Sequence, residues 1–404
     1  MTRKLTVLLM TLLLVALCVP ALAAGTLQDQ INAAGTTPTT ITLDQNYDEH
    51  ITIAAGQTIT LNLNGKTLNG GTGNTIPTIT NSGTLIVTGN GTVRRDDTKD
   101  SASGERHYVV LNKGTMTVES GYFYNDSGKP DKWEGASLVC NIGTASRTAV
   151  LNVHGGTFEQ QRFGVLKNDD YSEINITGGT FKTQGGRIND ESYVYAVVNY
   201  GKLNISGGTF TGSVSTSSYY DNNAKVDFRG TTTITDGTFT DAISASRWKG
   251  AGETTVTIKG GTYTGTLDIS SDSKLGISGG HYAASPDEKY VESGLIVKDS
   301  DPKAPYHIGA DAEAAIASAK AGSTLTVLRG SAITNVPAGV KVENKTGDKI
   351  TVNNEPVAPG GEIVIPTPTA APQTGDSTPI ALYVLCAALA VACAVWMLRR
   401  KANA

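Results

Sequence analysis

An eight-residue phrase returns through the middle of the chain, and its form limits what the chain can fold into. Leu151-Asn-Val-His-Gly-Gly-Thr-Phe158 recurs as Ile174-Asn-Ile-Thr-Gly-Gly-Thr-Phe181 and as Leu203-Asn-Ile-Ser-Gly-Gly-Thr-Phe210. Looser copies end at Phe239, Tyr263 and Tyr282, and Met116 to Phe123 and Leu85 to Thr92 fit the same frame upstream. Taking the aromatic as marker, copies from Phe123 onward lie 35, 23, 29, 29, 24 and 19 residues apart. Spacing this uneven excludes a coiled coil and speaks against a helical solenoid. It suits stacked β coils carrying loops of different length.

One coil can be read from its residues. Leu203 and Ile205 alternate with Asn204 and Ser206, so the apolar side chains share one face. Gly207-Gly208 permits backbone conformations closed to other residues and is expected to turn the chain sharply before Thr209 opens the next strand. Coils stacked at about the 4.8 Å strand spacing would place Phe158, Phe181, Phe210, Phe239, Tyr263 and Tyr282 in one buried column. Asn-x-Gly at Asn81, Asn112, Asn141 and Asn199 reads as a turn, and asparagines stacked in this way can satisfy one another in a ladder.

This pattern resembles the right-handed parallel β-helix of the pectin-lyase-like superfamily, and more narrowly the Gly-Gly-Thr-Phe repeats of surface proteins of Gram-positive gut bacteria. The resemblance covers Thr36 to Asp301 and implies an all-β solenoid over 24–302. Leu27 to Ala34 has helical spacing before Gly35 and is expected to cap the first coil, since an open coil end exposes unpaired backbone. Ala312 to Ala319 echoes that phrase, and Gly347 to Asn353 echoes Gly56 to Asn62. Residues 303–357 are therefore expected to form a small α+β unit, or a terminal cap on the solenoid.

The ends of the chain carry an address. Arg3 and Lys4 precede an apolar run from Leu5 to Val19, and Ala21-Leu22-Ala23 is the small-x-small triplet of a signal-peptidase site. A removed signal over 1–23 is expected, with the mature chain starting at Ala24. Residues 358–378 read as a Pro/Thr-rich spacer, 379–398 as a charge-free transmembrane helix, and 399–404 as a cytoplasmic tail in which Arg399, Arg400 and Lys401 stop transfer. Before the apolar segment, Ala371-Pro372-Gln373-Thr374-Gly375 resembles the Leu-Pro-x-Thr-Gly sorting signal of sortase substrates, with Ala371 where that pattern has Leu. The resemblance implies cleavage between Thr374 and Gly375, with sortase and peptidoglycan as partners. It places the protein in the cell wall of a Gram-positive bacterium, or in the membrane where the helix is retained.

Composition narrows the function further. Gly numbers 46 and aromatics make up 6%, which suits a turn-rich β protein, and a net charge of −4 gives no electrostatic case for nucleic acid. Of four Cys, Cys18, Cys386 and Cys393 lie in the apolar ends, so Cys140 has no partner for an intramolecular disulfide and reads as a small buried hydrophobe. β-Helix hydrolases of the superfamily carry Gly-His-Gly and Arg-Ile-Lys, and neither triplet occurs. The pairs Asp96-Asp97 and Asp169-Asp170 fall in loops, the five His lack metal-ligand spacing, and His154 sits in an exposed polar slot of the repeat. No catalytic residue, cofactor or metal ligand is assigned, and calcium is the one ion suited to the loop oxygens.

What remains is a set of insertions after the repeat aromatic: Tyr124 to Gly135, Lys182 to Tyr193, Thr211 to Asn223 and Thr240 to Gly252. They carry Trp133, Tyr193, Tyr219, Tyr220 and Trp248 among Asp, Asn and Ser, a surface suited to a sugar or a protein ligand. The expected function is a wall-anchored adhesin or binding module. A polysaccharide lyase or hydrolase and a passive stalk are the alternatives.

Overall fold

The structure, a computed structural model, describes residues 25–71, 76–95, 108–125, 137–160, 164–183, 195–292 and 294–368. The chain is mostly β, with long parallel-stranded sheets of the kind a β-solenoid builds. A regular coil contributes three strands, for example Gly164–Asn168, Ser172–Ile176 and Thr180–Thr183. First strands stack on first strands in a ten-stranded sheet, and second and third strands stack within a 23-stranded sheet.

The register explains the repeat. Leu151 pairs with Ile174, and Ile174 with Leu203, so one inward column runs through successive coils. Phe123, Phe158, Phe181, Phe210, Phe239, Tyr263 and Tyr282 form a second column, all buried. Their neighbouring ring centroids stand 4.7–5.2 Å apart and nearly parallel. The ring spacing follows the coil spacing, so a single aromatic position per repeat fills one side of the core from end to end.

The two glycines of the repeat do different work. A Cβ on Gly207 would sit 2.3 Å from the Thr177 carbonyl oxygen of the coil below, so coil contact itself demands glycine there. Gly208 takes φ +102°, a region that disfavours side chains. The turn is gentler than expected: Lys202–Thr211 and Thr231–Phe239 each run through the pair as one bent strand. The coil with Asp236 in place of the first glycine bulges, since Ile205 pairs with Ile234 but Ser206 with Asp236.

A polar ladder runs inside the other corner. Asn81 Nδ2 donates to Asn112 Oδ1 (2.7 Å), Asn112 to Asn141 (2.7 Å), Asn141 to Asn168 (3.0 Å) and Asn168 to Asn199 (2.8 Å). All five are fully buried, and each also donates to a main-chain carbonyl. Asn168, absent from the Asn-x-Gly series, is the additional rung. The ladder ends where Asn199 meets the Thr232 hydroxyl at 3.1 Å.

Leu27–Ala34 is a helix, with Leu27 and Ile31 buried against the first coil. Thr26 and Asp29 form a reciprocal capping box, and Glu49 accepts from the Leu27 and Gln28 amides. At the far end the same plan restarts. The helix Ala310–Ser318 leads into Thr324–Arg329 and Ala332–Ile333, on which Lys341–Asn344 and Ile350–Val352 stack in parallel. This unit has its own core, including Val297, Ile316, Leu325, Val327 and Val342. It also meets the solenoid, because Tyr306–Ile308 pairs antiparallel with His281–Tyr282 of the last coil. Its strands reach past the expected 303–357 on both sides: Ile296–Lys298 precedes it, and Glu362–Val364 stands where the spacer was expected to begin. Among the described residues no helix is long and apolar enough to cross a membrane. The expected signal, sorting motif, transmembrane segment and basic tail lie outside the described residues.

Candidate functional site

Two of the four insertions are not loops. Thr211 to Asn223 contains the strand Ser213–Asp221, and Thr240 to Gly252 contains Ile243–Arg247, both first strands of their coils. Tyr219 and Tyr220 therefore belong to a strand, and Trp248 follows one directly. The side chains emerge at the turn between first and second strands, the corner where the asparagine ladder ends, and not after the repeat aromatic. Trp133 and Tyr193 lie outside the described residues, as does Asp96-Asp97.

The strand Ser213–Asp221 overshoots its coil and folds back through Val226–Phe228 as an antiparallel hairpin. Asp221 Oδ1 accepts the amides of Asn223 (2.7 Å) and Ala224 (3.1 Å) to close the tip. The hairpin lies against the turns of neighbouring coils and gathers five rings. Tyr219 stacks on Phe228 (5.1 Å) and meets Tyr200 edge-on (5.4 Å), Tyr171 meets Phe228 edge-on (5.0 Å), and Trp248 tilts over Tyr219 (6.3 Å). Phe228 is buried, Tyr171, Tyr200 and Tyr219 are half-buried, and Trp248 is 62% exposed. Strand alternation sends Tyr220, opposite Asp227 in the hairpin, to the other face, so the structure unites Tyr219 and Trp248 without it.

Charged groups border the rings. The Tyr219 hydroxyl donates to Asp170 Oδ1. Burial raises the Asp170 carboxyl above its usual range, while that hydrogen bond pulls it down. Burial and Asp170 together push the Tyr219 hydroxyl far up, so it stays a donor. Lys167 Nζ lies 2.6 Å from Asp169 Oδ2 and 5.8 Å over the Tyr200 ring. On the hairpin's other face, with Tyr220, Asp227 accepts from the Gly252 amide (2.8 Å) and Arg229 Nε (2.7 Å), which hold its carboxyl below the usual range. Arg247 donates to Asp272 at 2.9 Å. The ridge thus offers an exposed indole, a tyrosine-lined wall, and carboxylates and guanidinium groups at its edge, a combination suited to stacking on one face of a ring and bonding its hydroxyls.

Other marked residues fall elsewhere. The side chains of Asp169 and Asp170 touch one another, so they do not straddle the gap of at least about 5 Å that a pair of glycosidase carboxylates needs. His154 is exposed beside Glu119 at 3.0 Å, and Cys140 is buried against Tyr108. Among the described residues no group of three or more His, Cys, Asp or Glu is placed to hold a metal ion. Tyr171, Tyr200, Phe228 and Lys167 escaped sequence reasoning because they lie outside the four insertions. No protein-family model, curated protein or solved structure matches the chain.

Proposed function

We propose that this is a surface-displayed binding protein, a right-handed parallel β-helix of the pectin-lyase-like kind whose hairpin ridge takes a glycan. The observation that carries this reading is Trp248, a large exposed ring held over Tyr219, whose hydroxyl bonds Asp170. Exposed aromatic surface with hydrogen-bonding groups around it is the usual means of holding a sugar face. The display side rests on the sequence of the ends: Ala21-Leu22-Ala23 for export, and Ala371 to Gly375 with the apolar segment and basic tail for sortase transfer to peptidoglycan. A catalytic reading has less support, since the one adjacent acidic pair on the ridge is spent on Lys167 and Tyr219.

Glycan arrays probed with the full chain test the ligand. Trp248→Ala should weaken binding at least tenfold, while Val364→Ala, which trims another exposed apolar residue, should leave it unchanged. Binding insensitive to Trp248→Ala would move the ligand off this ridge. Thr374→Ala tests the address: it should render a wall-bound protein detergent-extractable, and an unsubstituted protein already extractable would overturn wall attachment.

A further inference from the structure

The third strands of the coils carry an outward row that runs, in register, through Thr67, Thr92, Tyr122, Thr157 and Thr180 and on to Thr262, with threonine at every rung but one. The core does not ask for that exception, because Phe123 fills the inward slot of its coil as Phe158 does in the next. Tyr124 shares the outward face with Tyr122, and the two rings stack at 5.6 Å and 21°. The fold needs only threonine at this position, so two large rings kept on the outer face of the sheet point to a partner.

Charge flanks the pair. The row through Tyr124 reads Arg94, Tyr124, Glu159 and Lys182 in successive coils. The Arg94 guanidinium lies over the Tyr124 ring, 5.9 Å from its centroid. The Tyr122 hydroxyl bonds Glu159, and burial together with that carboxylate pushes the hydroxyl up to about 12, so it stays a donor. Glu159 is thus answered within the patch, while Lys182 is exposed, and the surface offered to a partner is cationic. The rings are poorly placed for a sugar. Each turns one face to the other, and Arg94 lies over Tyr124, so what they offer is ring edge, the positive side of the aromatic quadrupole. Tyrosine and arginine together on a sheet face are the usual anchors of a protein contact.

We propose that Tyr122, Tyr124, Arg94 and Lys182 form a docking site for an extended acidic segment of another protein, laid along the solenoid axis. Its carboxylates meet Arg94 and Lys182, and an apolar residue between them packs on the tyrosine edges. Arg94 and Lys182 stand three coils apart, about 14 Å at the strand spacing. An extended chain rises about 3.3 Å per residue, so carboxylates about four residues apart reach both. The site lies on the third-strand sheet, away from the corner that carries the ridge, and does not depend on the ridge taking a glycan.

The test is an array of nine-residue peptides probed with the labelled, detergent-solubilised full chain. Each peptide carries a central phenylalanine and either two aspartates or two lysines, placed two, four or six positions apart. Aspartates four apart should bind best. Tyr122→Thr, which restores the residue of the neighbouring coils, should weaken that binding by about tenfold or more, and Arg94→Ala likewise. Lys182→Ala gives the same loss without touching the rings, whereas Thr238→Ala, further along the threonine row, should leave binding unchanged. Lysine pairs that bind as well as aspartate pairs would overturn the site, as would indifference to aspartate spacing, no binding by any aspartate pair, or binding that survives Tyr122→Thr. So would a heparin fragment that displaces the best peptide and loses its hold in Tyr122→Thr, since the occupant would then be an anionic glycan.

Discussion

Replacing Asn141 by alanine examines the ladder at its centre. Asn141 accepts from Asn112 at 2.7 Å and donates to Asn168 at 3.0 Å and to the Glu173 carbonyl at 2.9 Å, all without solvent. Three hydrogen bonds at about 1 kcal/mol net each, together with the penalty for leaving buried amide groups short of a partner, put the loss at about 3–5 kcal/mol. Asn152 is the control, because it sits in the outer column, half-buried, with bonds of 3.1 Å to Asn175 and 3.4 Å to Thr117. Asn152→Ala should cost less than about 1 kcal/mol, since solvent replaces what it loses. Urea titration followed by circular dichroism gives the totals, and hydrogen exchange localises the damage to the coils around Asn141, as nearest-neighbour coupling in a solenoid requires. Asn141→Leu keeps the volume and removes only the amide. If Asn141→Leu is as stable as the parent, or if Asn152→Ala costs as much as Asn141→Ala, the ladder is not what holds this corner.

Phe210→Ala empties a slot between Phe181 and Phe239, each 4.8 Å away, and should cost about 3–5 kcal/mol in the same urea titration. Gly207→Ala drives a methyl to 2.3 Å from the Thr177 carbonyl and should separate the two coils, whereas Gly347→Ala meets open space and should be tolerated, as thermal melts would report. Asp170 binds its proton more tightly in the fold than in the unfolded chain, so its ionisation weakens the fold as pH rises through its raised value. The stability difference between Asp170→Asn and the parent should therefore grow in favour of the variant with rising pH, and Tyr219→Phe should move the Asp170 titration further up.

What could be read in the sequence and what could not have separate physical causes. The aromatic column and the inward Leu and Ile positions were legible because stacking repeats one environment in every coil, so the same residue type returns at the same phase. Asn168 was hidden because its turn is Asn168-Asp169-Asp170, without the glycine that marked the other rungs, although its amide performs the same task. The hairpin was misread for a related reason. Ser213 to Asp221 is polar throughout apart from Val214 and two tyrosines, and its buried serines and threonines satisfy one another and the main chain, as in Thr216 with Thr232 and Ser218 with Thr254. Such a strand has no apolar alternation to find. The pairing of His281 with His307 depends on a long-range antiparallel register that no local pattern encodes.

The placement of the candidate site follows from the ladder. In register, the rung after Asn199 is Thr216, and the next is Ala245. Asparagine at this position turns the chain, as where the Gly83 and Gly201 amides bond back to Asn81 and Asn199 Oδ1. Thr216 and Ala245 make no such turn, and both strands run on past the corner, one to Tyr219 and Asp221 and the other to Arg247. Four described coils lack asparagine at this register: the strands at Ile53 and Ile269 end there, whereas those at Thr216 and Ala245 carry Tyr219 and Trp248 onto the ridge, and the buried Thr216 and Thr232 hydroxyls close the ladder beneath them. Loss of Asn-x-Gly alone does not mark the ridge, since Asn168, Ile53 and Ile269 hold the same register without that triplet; what sets the ridge apart is a strand that continues past the corner.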